Sequence, residues 1–525
     1  MRTLRRNQTR IITAAVLVVL FVMAVRGMSA KDWIITTLRG LASGAVIFLV
    51  AAGFSLMLGL MGVLNLAQGT LYMMGAYVGW SVYIRPDTFV DLLTPLALLV
   101  SGFLLGPLWN QLIGRLSVPR QLARVWPWVG LILALVILGF TVTRAPVAIW
   151  DPEVYENSPV YNVQDLQAGT LQAKLEPARF TEVSPVVGLG GMLLGSALMA
   201  ASLAGLARRG QADSSAGGAG ALPWRSIIAF LVLVGLGIAV YLANDGLTQA
   251  LFDLDTTWLF LIAVVVATLV GAGLGGMLEA TLIRPLYERH VYQLMMTMGL
   301  GFIGIELVRA IWGRTQITMP KPSLFAGTGE GCPATSLGEW FQHHCSTLVL
   351  TIQGETTRIR VYNEIFVILV GVLVLVVIWI LLQRTRLGMI IRAGVQDSEM
   401  VEALGINVRQ VFTLVFALGV ATAALGGVLS GPSTGLTDAM GVHLLLAGLI
   451  ALAIGGLTSY PGAALGSVIV GLLQQFIIKY GQLGIPLPFL EEPFKPSPPL
   501  VPASTVLLMV IVLLVVPHGL LGRKE

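Results

Sequence analysis

Long apolar runs separated by short polar segments dominate the pattern of this chain. A helix that crosses the roughly 30 Å hydrocarbon layer of a bilayer needs about 20 mostly apolar residues. Measured against that length, the pattern predicts about fourteen spans. They lie near residues 11–26, 36–60, 63–83, 92–114, 126–147, 185–207, 226–243, 258–280, 292–313, 363–383, 411–430, 440–455, 461–479 and 501–517. The fold predicted from this pattern is all-α, a polytopic bundle of transmembrane helices.

Two places in the pattern allow a second interpretation. The run near 11–26 follows a basic start, so it is either a retained helix or a signal sequence. We favour a retained helix, because Met28 is a poor match to the small residue that cleavage after Ala30 would need. The glycine-rich turn at 455–462 indicates that one flanking helix is a candidate re-entrant segment, which is tolerated at membrane depth only when it is packed in protein or lines a cavity.

The basic residues predict the orientation of the bundle, because Lys and Arg collect in cytoplasmic loops. In alternate loops of this chain, basic residues collect at 2–10, 115–124, 208–225, 284–289, 384–409 and 523–524. The intervening loops at 151–182 and 245–255 are acidic or mixed. Both termini are therefore predicted to lie in the cytoplasm.

Composition narrows the function classes. The 525 residues are 56% hydrophobic and 11% charged, whereas a soluble domain carries about 25% charged residues. This excludes an ordinary cytosolic enzyme, and membrane orientation explains the net charge of +5 better than nucleic-acid binding does. The chain contains no GxxxxGK[ST] or HExxH pattern, so we expect no catalytic residues, no cofactor and no ATPase site of its own.

Charged residues inside the predicted spans are few, although such residues mark functional sites by default. Glu306 and Arg309 are three residues apart on one helix face and are able to neutralise each other. Glu279 lies near a cytoplasmic helix end, where its carboxylate reaches water. We interpret these residues as stabilising the bundle, and the shortage of buried acids disfavours an ion-coupled transporter.

The two cysteines, Cys332 and Cys345, lie in one loop that the charge pattern places outside the cell. There a disulfide persists, and closing a loop of this size contributes roughly 3 kcal/mol in the chain-entropy model. Two free thiols remain an alternative. A metal site with His343 and His344 is a weaker one, because no CxxC pair exists.

Three segments carry a family resemblance. The first is 59–69, reading GLMGVLNLAQG, and it continues to Tyr77. The second begins with RLGM at 386–389 and continues through Arg392-Ala393 to EALGIN at 402–407. The third is the glycine turn at 455–462, together with PHGLLGR at 517–523. In this order the segments resemble the permease subunits of branched-chain amino-acid ATP-binding-cassette (ABC) importers, a family that also includes urea and short-amide permeases.

The resemblance also predicts how the chain is divided. It covers 36–83 and 258–525, the second part holding an extracytoplasmic loop at 314–362 and a coupling loop at 384–410. Residues 1–35 are an extra N-terminal helix or signal anchor. Residues 84–257 depart from the family and are predicted to be an insertion of four spans, an even number that preserves the orientation.

The residues of the second segment also predict a structure without the family resemblance. A short helix capped by Asp397 or Ser398 and ended by Gly405 would carry an apolar patch of Met400, Val401 and Leu404. Such a helix either inserts into a groove of a partner or rests on lipid headgroups. The resemblance implies that the partner is an ATP-binding subunit and that the coupling residues are Glu399, Met400, Glu402, Ala403, Leu404 and Gly405.

Polar residues in two apolar runs are candidates for the translocation pathway. Asn65, Gln68 and Gly69 interrupt the first segment, and buried amides cost free energy unless they are hydrogen-bonded or hydrated. They either line the pathway or join two helices. Ser430 and Pro432 near the outer end of a later span are similar candidates.

The resemblance implies a permease subunit that imports branched-chain or other apolar amino acids. Its expected partners are two ATP-binding subunits, a second permease subunit that is homologous or identical, an extracytoplasmic solute-binding protein and the lipid bilayer of the bacterial inner membrane. The alternatives are a urea or short-amide permease, an ion-coupled secondary transporter or channel, and a non-transporting membrane scaffold.

Overall fold

The computed structural model describes residues 28–115, 120–145, 183–209, 223–287, 289–352, 354–396, 398–485 and 492–522. Its helices and strands are, in chain order, α1 (Ala30–Met61), α2 (Gln68–Ile84), α3 (Pro86–Leu104), α4 (Gly106–Arg115), α5 (Arg120–Val142), α6 (Pro185–Arg209), α7 (Trp224–Leu242), α8 (Asn244–Phe252), α9 (Thr256–Leu278), α10 (His290–Trp312), α11 (Leu337–His343), β1 (Thr347–Ile352), β2 (Glu355–Arg360), α12 (Val367–Arg384), α13 (Arg386–Gln396), α14 (Ser398–Ala403), α15 (Val408–Thr434), α16 (Met440–Gly455), α17 (Tyr460–Leu483) and α18 (Leu500–Val515).

The predicted all-α, polytopic bundle is confirmed. Within the described residues, ten helices are long and apolar enough to cross a membrane, and α16 and α18 are shorter apolar helices. The predicted first span at 11–26 lies outside the described residues. The predicted span at 63–83 begins later than expected, because Gly62 ends α1 in a left-handed conformation (φ 67°) and α2 begins only at Gln68.

The chain divides into two compact units: Met1–Tyr83 together with Thr256–Glu525, and Ile84–Asp255. The second unit coincides closely with the segment 84–257 that departs from the family resemblance. That this segment is an insertion stays a prediction.

Helix α1 forms the centre of the first unit. It begins where the Ser29 hydroxyl accepts a hydrogen bond from the Asp32 backbone N–H at 3.2 Å, which satisfies one of the free donors of a helix start. It packs against α12, α15, α16 and α17, and its residues 47–57 are all buried. Phe54 lies in a core cluster with Ala451 and Val470, from α16 and α17. Helix α15 also packs along α9.

The second unit packs α3 against α6, α7 and α8, and α5 against α6. Short polar contacts join these helices. The Thr94 hydroxyl donates to the Gly237 carbonyl at 3.1 Å, and the Asn244 side-chain amide donates to Asp91 Oδ1 at 2.8 Å. Each contact satisfies a buried polar group with a partner on another helix, as an apolar interior requires.

The segment between α10 and α12 contains the only strands among the described residues. Strands β1 and β2 form an antiparallel hairpin with Thr347 opposite Arg360 and Ile352 opposite Glu355. The all-α prediction did not include this hairpin. Each strand is only six residues long, and β2 holds two Thr and two Arg residues with a single apolar residue, so hydropathy alone did not separate the hairpin from a polar loop.

Candidate functional site

Contacts within the first unit divide its loops between two ends of the bundle. At one end, the turn after α16 lies against the end of α1 and the C-terminal segment, where Leu521 N–H donates to the Gly455 carbonyl at 2.9 Å. At the other end, Ile317 exchanges backbone hydrogen bonds with Leu436. Of the loops predicted to be cytoplasmic, the described parts of 284–289 and 384–409 fall at the first end, and the loop at 314–362 falls at the second.

The coupling segment consists of α13, α14 and the turn that leads into α15. Backbone hydrogen bonds close this turn: Gly405 N–H donates to the Glu402 carbonyl at 2.9 Å, and Ile406 N–H donates to the Val401 carbonyl at 3.3 Å. Gly405 has φ 81°, a left-handed conformation that glycine adopts without steric cost. Asn407 then caps α15 by accepting from the Gln410 N–H at 3.2 Å.

The structure corrects two expectations for this segment. A further helix, α13, precedes the short helix, so the basic stretch that begins at Arg386 is helical. The apolar patch is also divided. Val401 is only 5% exposed and anchors α14, whereas Met400 and Leu404 are 60% and 71% exposed.

The remaining predicted coupling residues are Glu402, Ala403 and Gly405, and they too are exposed. The side chain of Glu399 lies outside the described residues. The segment therefore presents an exposed surface with two apolar side chains beside a carboxylate, held to the bundle through Val401.

A buried carboxylate joins the turn after α9 to the start of α15. Glu279 is fully buried and accepts hydrogen bonds from Tyr287 at 2.5 Å, from Thr413 at 2.6 Å and from Arg284 at 2.9 Å. Thr413 lies one turn and a half into α15, the helix that follows the coupling segment. This cluster, Glu279, Arg284, Tyr287 and Thr413, is referred to as the Glu279 cluster.

Sequence reasoning missed the Glu279 cluster and placed Glu279 in contact with water. Glu279 and Arg284 are five residues apart, which does not bring side chains together on an ordinary α-helix. Here α9 continues into a π-helical turn over Glu279–Ile283, whose wider spacing brings the two side chains onto one face. The sequence offered one signal for this pair: an acidic residue at the end of an apolar run, followed five residues later by an arginine.

We expect Glu279→Gln to destabilise the first unit by about 1–3 kcal/mol, because a buried amide offers one acceptor atom where the carboxylate serves three donors. The measurement is the thermal stability of the detergent-solubilised protein. Glu306→Gln is the matched control: the Glu306 side chain is 63% exposed although it pairs with Arg309, and we expect little change there. Equal stability of the two variants would contradict the structural role of the Glu279 cluster.

The polar residues of the first motif are buried between helices. Asn65 and Gln68 are at most 1% exposed. The Gln68 amide donates to the Gly419 carbonyl of α15 at 2.8 Å, and Asn65 contacts Gln68 at 3.4 Å. Gly69 faces Gly441 of α16 so closely that a Cβ atom on it would lie 2.2 Å from the Gly441 carbonyl oxygen. These contacts join helices, and a role of the three residues in lining the pathway stays a prediction.

Ser430 and Pro432 lie in the last turns of α15, at the end that also holds the loop at 314–362. Ser430 is buried, and its hydroxyl shares a hydrogen bond of 2.5 Å with the Tyr72 hydroxyl of α2. The Tyr362 hydroxyl donates to the neighbouring Leu429 carbonyl at 2.8 Å. Pro432 lies within the helix rather than at a break in it. This end of α15 is thus held by tyrosines from two other segments.

The glycines of the third motif permit backbone-to-backbone docking. Gly456 (φ 116°) and Gly519 (φ 73°) lie against each other, and a Cβ on Gly519 would be 2.6 Å from Gly456 Cα. Leu520 N–H donates to the Ile454 carbonyl at 2.8 Å. The C-terminal segment therefore packs directly against the turn between α16 and α17.

Cys332 and Cys345 are joined by a disulfide bond, with their Cα atoms 5.4 Å apart. The bond lies in the loop at 314–362 beside α11 and the hairpin. Because both thiols are joined, they are not thiolate ligands for a metal, and the described residues hold no group of three or more metal-ligating side chains. The backbone N–H and the hydroxyl of Thr335 donate to Glu339, which lowers the pKa of that carboxyl.

Comparison with known proteins gives the family. A family model described as "Branched-chain amino acid transport system / permease component" matches residues 36–208 and 188–517. The chain belongs to this family. No solved structure shows a significant match.

Several curated proteins are similar in sequence to this permease, and they are permeases of branched-chain amino acid transport systems. The high-affinity branched-chain amino acid transport system permease protein LivH of Escherichia coli (strain K12) is 27% identical over 278 residues, which cover 52% of this chain and 79% of the relative. LivH of Salmonella typhimurium is 26% identical over 281 residues, with the same coverage. BraD of Pseudomonas aeruginosa is 30% identical over 176 residues, covering 31% of this chain and 49% of the relative. The chain is accordingly a permease subunit of an ABC importer and a multi-pass protein of the inner membrane.

Proposed function

We propose that this permease imports branched-chain or other apolar amino acids, and that it takes its energy from two ATP-binding subunits docked on the coupling segment. A second permease subunit, homologous or identical, completes the channel, and an extracytoplasmic solute-binding protein delivers the substrate. The LivH and BraD relatives are branched-chain amino acid transport system permeases, which supports this cargo. The observation that carries the docking proposal is the exposed, anchored surface at Met400, Glu402 and Leu404.

The proposed mechanism follows from how the coupling segment is attached. A groove on an ATP-binding subunit would receive Met400 and Leu404, as grooves receive the apolar face of a short helix. Movement of α14 would pass directly into α15 through the closed turn at Gly405. The Glu279 cluster would carry it on to α9, because Thr413 and Glu279 are hydrogen-bonded across the two helices. ATP-driven closure would thus favour one of two packings of the bundle.

The orientation is part of this proposal, because ATP-binding subunits work in the cytoplasm. We expect the Cys332–Cys345 loop to lie outside the membrane. In spheroplasts, a membrane-impermeant maleimide should label the two cysteines only after reduction by an impermeant reductant. As a control, Arg386→Cys in a Cys332→Ser, Cys345→Ser background should be labelled only after the membrane is opened. The reverse pattern would contradict the orientation.

Reconstitution tests the function as a whole. The permease in liposomes with its candidate ATP-binding subunits, second permease subunit and solute-binding protein should accumulate labelled leucine when ATP is supplied to the ATPase side. Leaving out the ATP-binding subunits should abolish uptake. Uptake of leucine by the permease alone, or failure of any ATP-binding subunit to associate with it, would overturn the proposal. Urea and short amides serve as competing substrates.

A further inference from the structure

A cavity of about 360 Å³ lies at the same end of the first unit as the coupling segment. Its walls come from the last turns of α1 and α12, from α13, and from the turn before α17. This volume falls in the range of roughly 300–1,000 Å³ that is usual for small-molecule sites. None of the coupling residues or candidate pathway residues named above lines it, so it is separate from those sites.

One wall of the cavity is polar. The Ser55 side chain lines it and is 3% exposed, yet among the described residues its hydroxyl has no hydrogen-bond partner. A buried hydroxyl without a partner costs free energy. A ligand that hydrogen-bonds the Ser55 hydroxyl removes this cost and therefore binds more tightly.

Positive charge also reaches the cavity. Arg392 of α13 lines it and hydrogen-bonds the neutral Gln383 amide oxygen at 2.7 Å. No carboxylate among the described side chains pairs with Arg392. The N-terminus of α17 at Tyr460 also lines the cavity, and the positive end of a helix dipole favours an anion.

The other wall is apolar. Leu56 and Leu60 of α1, Leu382 of α12 and Leu521 of the C-terminal segment line it. A ligand that fills the whole cavity therefore carries a hydrocarbon portion as well as an anionic group. A small inorganic anion would satisfy only the polar wall.

We propose that this cavity binds an amphipathic ligand that carries an anionic group, with its carboxylate or phosphate at Arg392 and Ser55 and its hydrocarbon portion against Leu56, Leu60 and Leu382. Bound there, the ligand bridges α13, the first helix of the coupling segment, to the core helices α1 and α12. The proposal does not depend on which substrate the permease transports. Two sources supply this chemistry: a free apolar amino acid in the cytoplasm and an anionic lipid of the inner leaflet.

The test uses the purified full-length chain in nanodiscs of phosphatidylcholine. One arm measures equilibrium binding of labelled L-leucine. The second arm adds phosphatidylglycerol to the nanodiscs and measures, by native mass spectrometry, how much of it stays with the released protein. We expect one of the two probes to bind saturably, which also identifies the source.

Three variants connect the binding to the cavity. Arg392→Gln should weaken binding at least tenfold and Ser55→Ala severalfold, whereas Arg386→Gln, an exposed arginine on the same helix that does not line the cavity, should leave it unchanged. Ser55→Ala removes only one oxygen atom, so we expect it to fold. It therefore tests the proposal even if Arg392→Gln fails to fold. The proposal is overturned if neither probe binds, or if binding is the same in wild type, Arg392→Gln and Ser55→Ala.

Discussion

Gly405→Pro is expected to abolish ATP-driven uptake while the protein still inserts into the membrane in normal amount. Proline holds φ near −65°, whereas Gly405 has φ 81°. Proline also lacks the N–H that donates to the Glu402 carbonyl at 2.9 Å. The turn between α14 and α15 would therefore open, and α14 would lose its fixed orientation towards an ATP-binding subunit. We expect uptake to fall by about two orders of magnitude or more, measured as initial rate per inserted protein.

Two further variants separate the turn geometry from the docking surface. Gly405→Asn should retain most uptake, because Asn tolerates the left-handed conformation better than other non-glycine residues. Glu402→Arg leaves the backbone unchanged and reverses an exposed charge on the proposed docking surface, so it should block uptake and association with the ATP-binding subunits. Glu355→Arg on the exposed hairpin is the matched charge reversal, and it should leave uptake and association with the ATP-binding subunits unchanged. Unchanged uptake in both Gly405→Pro and Glu402→Arg would remove the coupling assignment.

Gly427→Leu is expected to prevent the core from folding. Gly427 of α15 lies against α2 so closely that a Cβ atom would be 2.0 Å from the Tyr72 carbonyl oxygen and 2.9 Å from the Ala76 nitrogen. Both contacts are with backbone, so no side-chain rotation relieves them and the helices must separate. Overpacking of a core commonly costs 1–3 kcal/mol and here should cost about 3 kcal/mol or more. The measurement is the fraction of membrane-inserted protein that elutes as a monodisperse peak after solubilisation.

Gly273→Leu is the control for Gly427→Leu. Gly273 lies within α9, and nothing lies within 4 Å of a Cβ placed there. The two substitutions add the same side chain to a transmembrane helix and differ only in its surroundings. We expect Gly273→Leu to elute like the wild type. Comparable loss in both variants would mean that leucine in place of helical glycine is harmful for a reason other than the contact between α2 and α15.

The sequence was sufficient for the class of fold, the membrane location and the family. Each of these depends on local or cumulative properties: the length of apolar runs, the sign of charge in successive loops, and short motifs whose order along the chain is specific. A run of about 20 apolar residues forms a helix in lipid whatever it packs against, because its backbone groups have no other partners there. The position of the short coupling helix before Gly405 also followed from local capping rules.

Roles that depend on distant partners came from the tertiary structure. Gln68 was compatible with lining a pathway and with joining helices, and only the structure shows its bond to Gly419, 351 residues away in the chain. A role in the pathway stays a prediction. Val401 differs from Met400 and Leu404 because it is buried against the bundle while the other two side chains are largely exposed. Glu279 required a π-helical turn and a threonine on another helix. The cavity at Ser55 and Arg392 is formed by segments far apart in the chain, so no local pattern revealed it.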